Sequence, residues 1–472
     1  MKLKIPFLIL LLFGSCASGQ KSSTCPCKDN PPTSAEGKAL AKDQGPKADK
    51  ETLKDGASKN PGLPTDPDPS QPAGLQPSSA PGKDPAANPD KPPVAPQVVA
   101  VASYDDSDKI PATLAGMTKK IADQFQSGTL PVGFSLALSN LAAHLQVYQG
   151  KPLAPSSLLE LASEWGIASP WILQNYMVSS GYDQDFLANW IAKNLASYRN
   201  QHSISHFGFA VAKRPDGADV VVLLMQRRRF THSAFSRWVE PGNHVTVNGG
   251  MEKGVASLEV LVTSPDSSIS RMPVKLAADG TFSVKLDFCN TAQNKGHYSV
   301  ELMGKDGHGP FVAGLFPVGC GKEFAKKPAT IQMQAPTQDI AIEQFEKEVM
   351  TKVNAWRTKL NLKPFADQAK LAHVARAHSI EMCGQKKIYH VSPSTGSPLD
   401  RVKRAGLSAQ LVAENVAMGP TSDEVVTAWI KSEGHRLNLQ HPKGTHAAIG
   451  VCKGTYGTDT VLYYVTLLIA SF

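Results

Sequence analysis

The rhythm of hydrophobic and polar positions changes several times along the chain, and each change marks a segment. An apolar run from Ile5 to Phe13 follows Lys2 and Lys4 and ends at Gly14-Ser15-Cys16. It is too short to span a bilayer as a mature helix, and its charged start and small-residue end are those of an export signal. From Ala17 to about Pro96 the chain is Pro, Ala, Gly, Ser, Lys and Asp, with almost no aromatic or β-branched residue before Val94. Such a segment cannot bury enough apolar surface to offset its ordering entropy, so it is expected to stay extended and solvated as a tether. Between about Val245 and Cys320 the period becomes two. Val245 and Val247 alternate with polar residues, as do Phe282, Val284, Leu286 and Phe288, and Tyr298, Val300 and Leu302. Short turns separate these runs, which predicts a β-sandwich of immunoglobulin type, with Gly296 to Val300 resembling a tyrosine corner. From about Asp339 the period is helical, with Phe345, Val349, Val353 and Trp356 on one stripe and Leu371, Ala375, His378 and Met382 on a second.

Composition sharpens this picture. At 472 residues the chain has room for two to four domains of roughly 100–200 residues each. With 41% hydrophobic and 19% charged residues it is globular on average, not a multi-span membrane protein. Sixteen of the 35 prolines fall between Pro26 and Pro96, which isolates the tether from any core. Losing Lys2 and Lys4 with the signal lowers the formal charge from +8 to +6, with no dense basic run, so nucleic acid is not an expected partner.

Seven cysteines are an odd number for an exported chain. The segment ending at Cys16 resembles a bacterial lipobox, with Phe13 where leucine is usual. That resemblance implies cleavage before Cys16, lipidation of its sulfur and anchoring to a membrane; the alternative is a plain secretory signal with an incidental cysteine. Cys25 and Cys27 flank Pro26 in the tether, and their fate stays open between linkage to another chain and a local pair. Cys289 and Cys320 are expected to staple the sandwich.

Three segments then carry the chemistry: Tyr389-His390-Val391-Ser392-Pro393, Ala413-Glu414-Asn415-Val416, and Trp429 to Asn438 with Gly434-His435 inside it; Ile449-Gly450-Val451 follows in a closing strand. In this order and spacing they resemble the CAP superfamily, the SCP-like fold of cysteine-rich secretory proteins, antigen 5 and pathogenesis-related proteins, in its bacterial branch. The resemblance implies an α-β-α sandwich over the last third of the chain, whose cleft gathers His390, Glu414 and His435. Two imidazoles and a carboxylate are donors that zinc would use, and equally an acid and a base. The family's further glutamate falls on Ser432, with Glu433 adjacent, so the fourth cleft position stays open. Cys383 and Cys452 look like a structural disulfide of this module. No serine or cysteine nucleophile is paired to the set, so no catalytic residue is assigned; Glu414, His390 and His435 are the candidates.

Self-comparison suggests that Ile110 to Arg229 is an eroded copy of the same module. His206 to Leu224 reads without gaps against His446 to Tyr464, and upstream Gln174-Asn175 falls on Glu414-Asn415. An amide is neither a carboxylate base nor an anionic ligand, so this copy is expected to be inert.

The expected organisation is a lipoprotein signal at 1–15, a disordered tether at 16–104, a degenerate CAP-like α/β module at 105–230, an immunoglobulin-like sandwich at 231–325 and a CAP domain at 335–472. The expected function is binding of a lipid, glycan or peptide at the cell envelope by an exported, membrane-anchored protein, with a possible zinc ion. A hydrolase acting on peptide or cell-wall bonds and an adhesion scaffold with inert modules are the alternatives.

Overall fold

The computed structural model describes residues 14–18, 101–105, 107–179, 181, 183–324, 331–334, 339–456 and 460–472. Residues 1–13, most of the tether, and Cys25 and Cys27 lie outside them. The backbone of Gly14–Ser18 forms a strand, but the Cys16 side chain, and with it the lipid anchor, lies outside the description.

The N-terminal module begins with helix α1, Ala112–Ala122, followed by strand β1, Gly133–Phe134. Then come α2, Leu136–Leu145, and α3, Pro155–Glu164. Strand β2, Ile172–Ser179, leads to α4, Gln184–His202, and to β3, His206–Lys213, and β4, Asp219–Gln226. Its sheet runs β1-β3-β4-β2. β4 is buried on both faces because helices and loops cover both sides, which explains its unbroken apolar run Val220 to Met225.

The middle segment folds as two facing antiparallel-rich sheets. It comprises β5 (Phe230–His232), β6 (Trp238–Val239), β7 (Val245–Met251), β8 (Ser257–Thr263), β9 (Ile269–Val274), β10 (Thr281–Leu286), β11 (Gly296–Asp306) and β12 (Gly309–Cys320). One sheet is β10-β7-β5 and the other β9-β8-β11-β12-β6. Val245, Val247, Phe282, Val284, Leu286, Tyr298, Val300 and Leu302 all point into their common core, as the period of two requires. The Tyr298 hydroxyl donates to the Asn294 carbonyl at 2.7 Å. Cys289 and Cys320 form a disulfide with Cα atoms 5.4 Å apart.

The C-terminal module contains α5 (Ile342–Lys359), β13 (Ala366–Asp367), α6 (Ala369–Gln385), α7 (Pro398–Arg404), β14 (Leu411–Gly419), α8 (Ser422–Lys431), α9 (Glu433–Leu439), β15 (His446–Tyr456) and β16 (Thr460–Ser471). Its sheet runs β14-β16-β15-β13, with Gly14–Ser18 paired antiparallel on the outer edge of β14. Phe345, Val349 and Val353 bury the expected stripe of α5, Trp356 packs half-buried against the same cluster, and Arg357 is fully buried beside it. Arg357 is tolerated there because its guanidinium donates to the carbonyls of Lys363 and Leu439. Cys383 and Cys452 form a second disulfide, joining α6 to β15.

The two α/β modules share one strand order. Read from the short parallel strand, the sheets are β1-β3-β4-β2 and β13-β15-β16-β14, and the short strand pairs with a long strand that starts at His206 in one and at His446 in the other. The gapless alignment holds for the first long strand only. His206 pairs with Gln226, twenty residues on, whereas His446 pairs with Ala470, twenty-four residues on. The β15–β16 hairpin is therefore longer, and identities such as Val221 with Val461 fall out of register. Gln174 lies opposite Leu224 and Glu414 opposite Leu468, each two residues before those partners, so these two occupy equivalent places. The modules also pack together: Trp171, Leu173 and Met225 share a buried cluster with Met382, Tyr389, Val416 and Tyr464.

Candidate functional site

Glu414 lies near the middle of β14, where every residue is buried. A carboxylate there must be fully partnered, and it is. Oε1 accepts from His390 Nδ1 at 2.8 Å, and Oε2 accepts from the Arg401 guanidinium. His378 Nε2 stands 3.9 Å from Oε1 and donates at 2.8 Å to the Tyr389 carbonyl, bracing the segment that carries His390. Burial pushes the Glu414 carboxyl up, but the charge of Arg401, with His378 and His390, outweighs it and holds the pKa down at about 2. Burial also holds the His378 imidazole below the ordinary histidine range.

Local sequence explains Arg401. Ser397 and Asp400 form a capping box at the start of α7, with Pro398 in its first turn. One turn in, Arg401 reaches across to Glu414, and its Nη1 also donates to the carbonyls of His390 and Gly396. Because Glu414 is ionised, it accepts from Nδ1 of His390, and Nε2 is the ring nitrogen that this bond leaves over. Nε2 is buried and has no hydrogen-bond partner.

His435 reaches the cluster through its backbone. Its carbonyl accepts from Asn415 Nδ2 at 3.1 Å, and Asn438 Nδ2 donates to both the Glu414 carbonyl and Asn415 Oδ1. Ser432, at the family's fourth position, is the N-cap of α9. Its hydroxyl donates to Glu301 of β11 at 3.0 Å, and Glu433 accepts from Thr263 of β8. Both residues thus face the sandwich.

Glu414 itself is not free to hold a zinc ion, whereas His390 Nε2 and His435 Nδ1 have no hydrogen-bond partner. Both Glu414 oxygens are taken, one by a guanidinium whose charge would repel a cation, and His390 Nδ1 is committed to Glu414. Among the described residues no group of three or more His, Cys, Asp or Glu side chains is arranged to hold a metal.

The sandwich reaches over both histidine segments. At the β11–β12 turn the His308 carbonyl accepts from the N–H groups of His390 and Val391. Gly309 there has φ +105°, and a Cβ on it would stand 3.0 Å from the His390 Cβ, so this close approach requires glycine. Farther along β11, Glu301 accepts from the N–H groups of Glu433 and Gly434 at the start of the helix bearing His435.

Residues 350–468 match the Cysteine-rich secretory protein family. The C-terminal module is a CAP domain. Among its relatives, YkwD of Bacillus subtilis, an uncharacterized protein, is 40% identical over 129 residues, which are 27% of this chain and 50% of that one. The uncharacterized membrane protein YlbC of the same organism is 33% identical over 115 residues, 24% of this chain and 32% of that one. The match thus spans half the length or less of these relatives. An outer surface protein of Borrelia burgdorferi aligns over 29% of this chain and 98% of its own at 25% identity, with a TM-score of 0.25. Among the described residues no helix is long and apolar enough to cross a membrane.

Sequence reasoning placed His390, Glu414 and Asn415 of the CAP domain but missed Arg401 and Glu301. The capping signature Ser397-Pro398-Leu399-Asp400 was the available signal for the helix of Arg401; nothing local marks Glu301, which acts from another module.

Proposed function

We propose that this chain is an extracellular cell-envelope protein that binds a ligand, of lipid, glycan or peptide class, through the His390/Glu414 cleft of its CAP domain. The observation that carries this reading is the His390 ring: fixed through Nδ1 by an ionised carboxylate, it keeps a buried Nε2 with no partner. A buried ring nitrogen left unpaired is worth most when a ligand supplies its partner. Nearby hydroxyls are committed elsewhere, Ser392 to Glu381 and Ser432 to Glu301, so none is paired to this histidine as a nucleophile. The CAP domain and the charged-then-apolar start of the chain, read as an export signal at 1–15, support an extracellular site, with Cys16 proposed as lipid anchor to the membrane. In this reading the 231–325 sandwich is an immunoglobulin-like support, and 105–230 is an inert copy, a view favoured by the shared strand order.

The test is binding of the full chain to arrayed lipids, glycans and peptides. His390→Ala should weaken capture of the ligand about tenfold or more while thermal melting shows a folded protein; equal capture by the variant overturns the reading. Labelling with a radioactive fatty acid that is lost in Cys16→Ser tests the anchor.

The hydrolase reading draws on the same pair, since a carboxylate holding Nδ1 also orients a general base. Turnover of peptide or glycan substrates that disappears in His390→Ala would establish it.

A further inference from the structure

Beside His390 the three folded modules enclose a cavity of about 350 Å³, within the size range of small-molecule sites. Trp171 comes from the N-terminal module, His308 from the sandwich, and Lys386, Lys387, Tyr389 and His390 from the CAP domain. The cavity is therefore not a property of the CAP domain alone.

Its chemistry is uneven in an informative way. Arg227 and Arg229 are both paired with Glu252, and Arg229 also with Asp306, so their charge is matched. Lys386 and Lys387 are exposed and make no ion pair among the described residues, which leaves the rim positive. The neighbouring His202 responds to this field: burial, and then the charge of Lys386, holds its pKa down to about 3. Among the polar atoms of lining residues, Trp171 Nε1, the Tyr389 hydroxyl and His390 Nε2 have no hydrogen-bond partner, although Trp171 is only 6% exposed and His390 1%. The indole N–H needs an acceptor, and the imidazole Nε2 needs a donor when the ring is neutral and an acceptor when it is protonated. Tyr389 and Trp171 add aromatic surface.

A ligand that meets all of these demands carries hydroxyls, which both donate and accept, a carboxylate for the lysines, and a ring to lie against aromatic side chains. We infer that this three-module cavity binds an acidic sugar unit, with its hydroxyls meeting Trp171 and His390 and its carboxylate meeting Lys386 and Lys387. The inference rests on the cleft reading above in sharing His390, and it adds the substrate class and the contribution of the other two modules.

Calorimetry and saturation-transfer NMR on the full chain would use galacturonic acid oligosaccharides, the matching neutral galactose oligosaccharides, and acetate. The acidic sugar should bind about tenfold more tightly than the neutral one, and acetate should compete poorly. Trp171→Phe keeps the ring, loses the N–H and should weaken binding about fivefold or more. Lys386→Gln with Lys387→Gln should remove the preference for the acidic sugar and leave binding of the neutral one unchanged. Both sets of substitutions are conservative enough for thermal melting to report a folded chain.

Equal binding of acidic and neutral sugars, or silence of the Trp171 and lysine variants, overturns the inference. Acetate competing as well as the sugar reduces the site to an anion site and also overturns it. Loss of some other ligand in His390→Ala, with Trp171→Phe silent, leaves the cleft reading standing and sinks this one. Sensitivity to Trp171 and the lysines but not to His390 sinks the cleft reading, overturns the inferred His390 contact and leaves only the acidic-sugar class on Trp171 and the lysines.

Discussion

Glu301 of the sandwich and Glu433 of the CAP domain are both fully buried, and the Glu433 backbone N–H donates to the Glu301 carboxylate at 2.8 Å. A carboxylate at a helix N-terminus is favourable. Burial and the nearby Glu433 carboxyl nevertheless push Glu301 well above the ordinary glutamate range, against the opposing bond from Ser432. The helix that carries His435 is therefore capped from another module by a group reluctant to ionise.

A raised carboxyl binds its proton more tightly in the folded state. Its contribution to stability is complete below the unfolded pKa and is lost as pH rises through the folded one. Glu301→Gln keeps an acceptor oxygen and cannot ionise, so denaturation midpoints of this variant should fall less between pH 5 and 8 than those of the parent. Glu301→Ala leaves the α9 N–H groups unmatched and should be less stable at pH 5 by about 1–3 kcal/mol. Parallel pH profiles for parent and Glu301→Gln would contradict this account.

Glu414 has the opposite sign. With its pKa held at about 2, it contributes stability above the unfolded glutamate pKa and loses it as pH falls toward 2. Arg401→Ala leaves this carboxylate buried without its guanidinium and should cost about 3–5 kcal/mol near neutral pH. The acid limb of the stability profile should also move to higher pH. Arg401→Lys should rescue little, since one ammonium cannot serve Glu414 and the His390 and Gly396 carbonyls together. Urea unfolding from pH 3 to 7 measures both effects.

Gln174 tests the relation between the two α/β modules. It is fully buried, its Oε1 accepts from the Leu153 N–H and the Tyr176 hydroxyl, and its Nε2 donates to the Leu153 carbonyl. Gln174→Glu would set an oxygen against that carbonyl and bury a charge with no ion-pair partner at this position. A loss of about 1–3 kcal/mol is expected, smaller at low pH where the new carboxyl protonates. A neutral outcome at pH 7 would mean that the amide network is not what selects glutamine there.

The Cys383–Cys452 disulfide spans 69 residues of sequence and ties α6 to β15. Replacing both cysteines by serine should lower stability by about 2–5 kcal/mol, most of it through the unfolded chain. The same replacement of Cys289 and Cys320 should add to this almost independently, because that bridge lies within the sandwich. Thermal melts of the two double variants and the quadruple variant decide.

Zinc titration by calorimetry should give no binding in which Glu414 is a ligand, because both of its oxygens are already committed. Binding that is lost in Glu414→Gln but kept in His390→Ala with His435→Ala would show that Arg401 can leave.

What the sequence determined by itself was local or periodic. Alternation placed Val245, Val247 and Phe282 to Leu286 on strands with their apolar side inward, and three- and four-residue spacing placed the stripes of α5 and α6. Ordered motifs brought Glu414 and His390 to one site because each sits in a segment whose spacing is distinctive. Register was decided only by pairing: the gapless match between the two modules broke at the β15–β16 turn, since an insertion in a hairpin leaves the alternation on either side intact. Tertiary structure alone brought Arg401 against Glu414, turned Ser432 and Glu433 toward the sandwich, and laid the His308 carbonyl over His390. Each of these depends on charges and backbone groups that become neighbours only when distant segments pack, and a buried charge takes its state from those neighbours, not from its own sequence context.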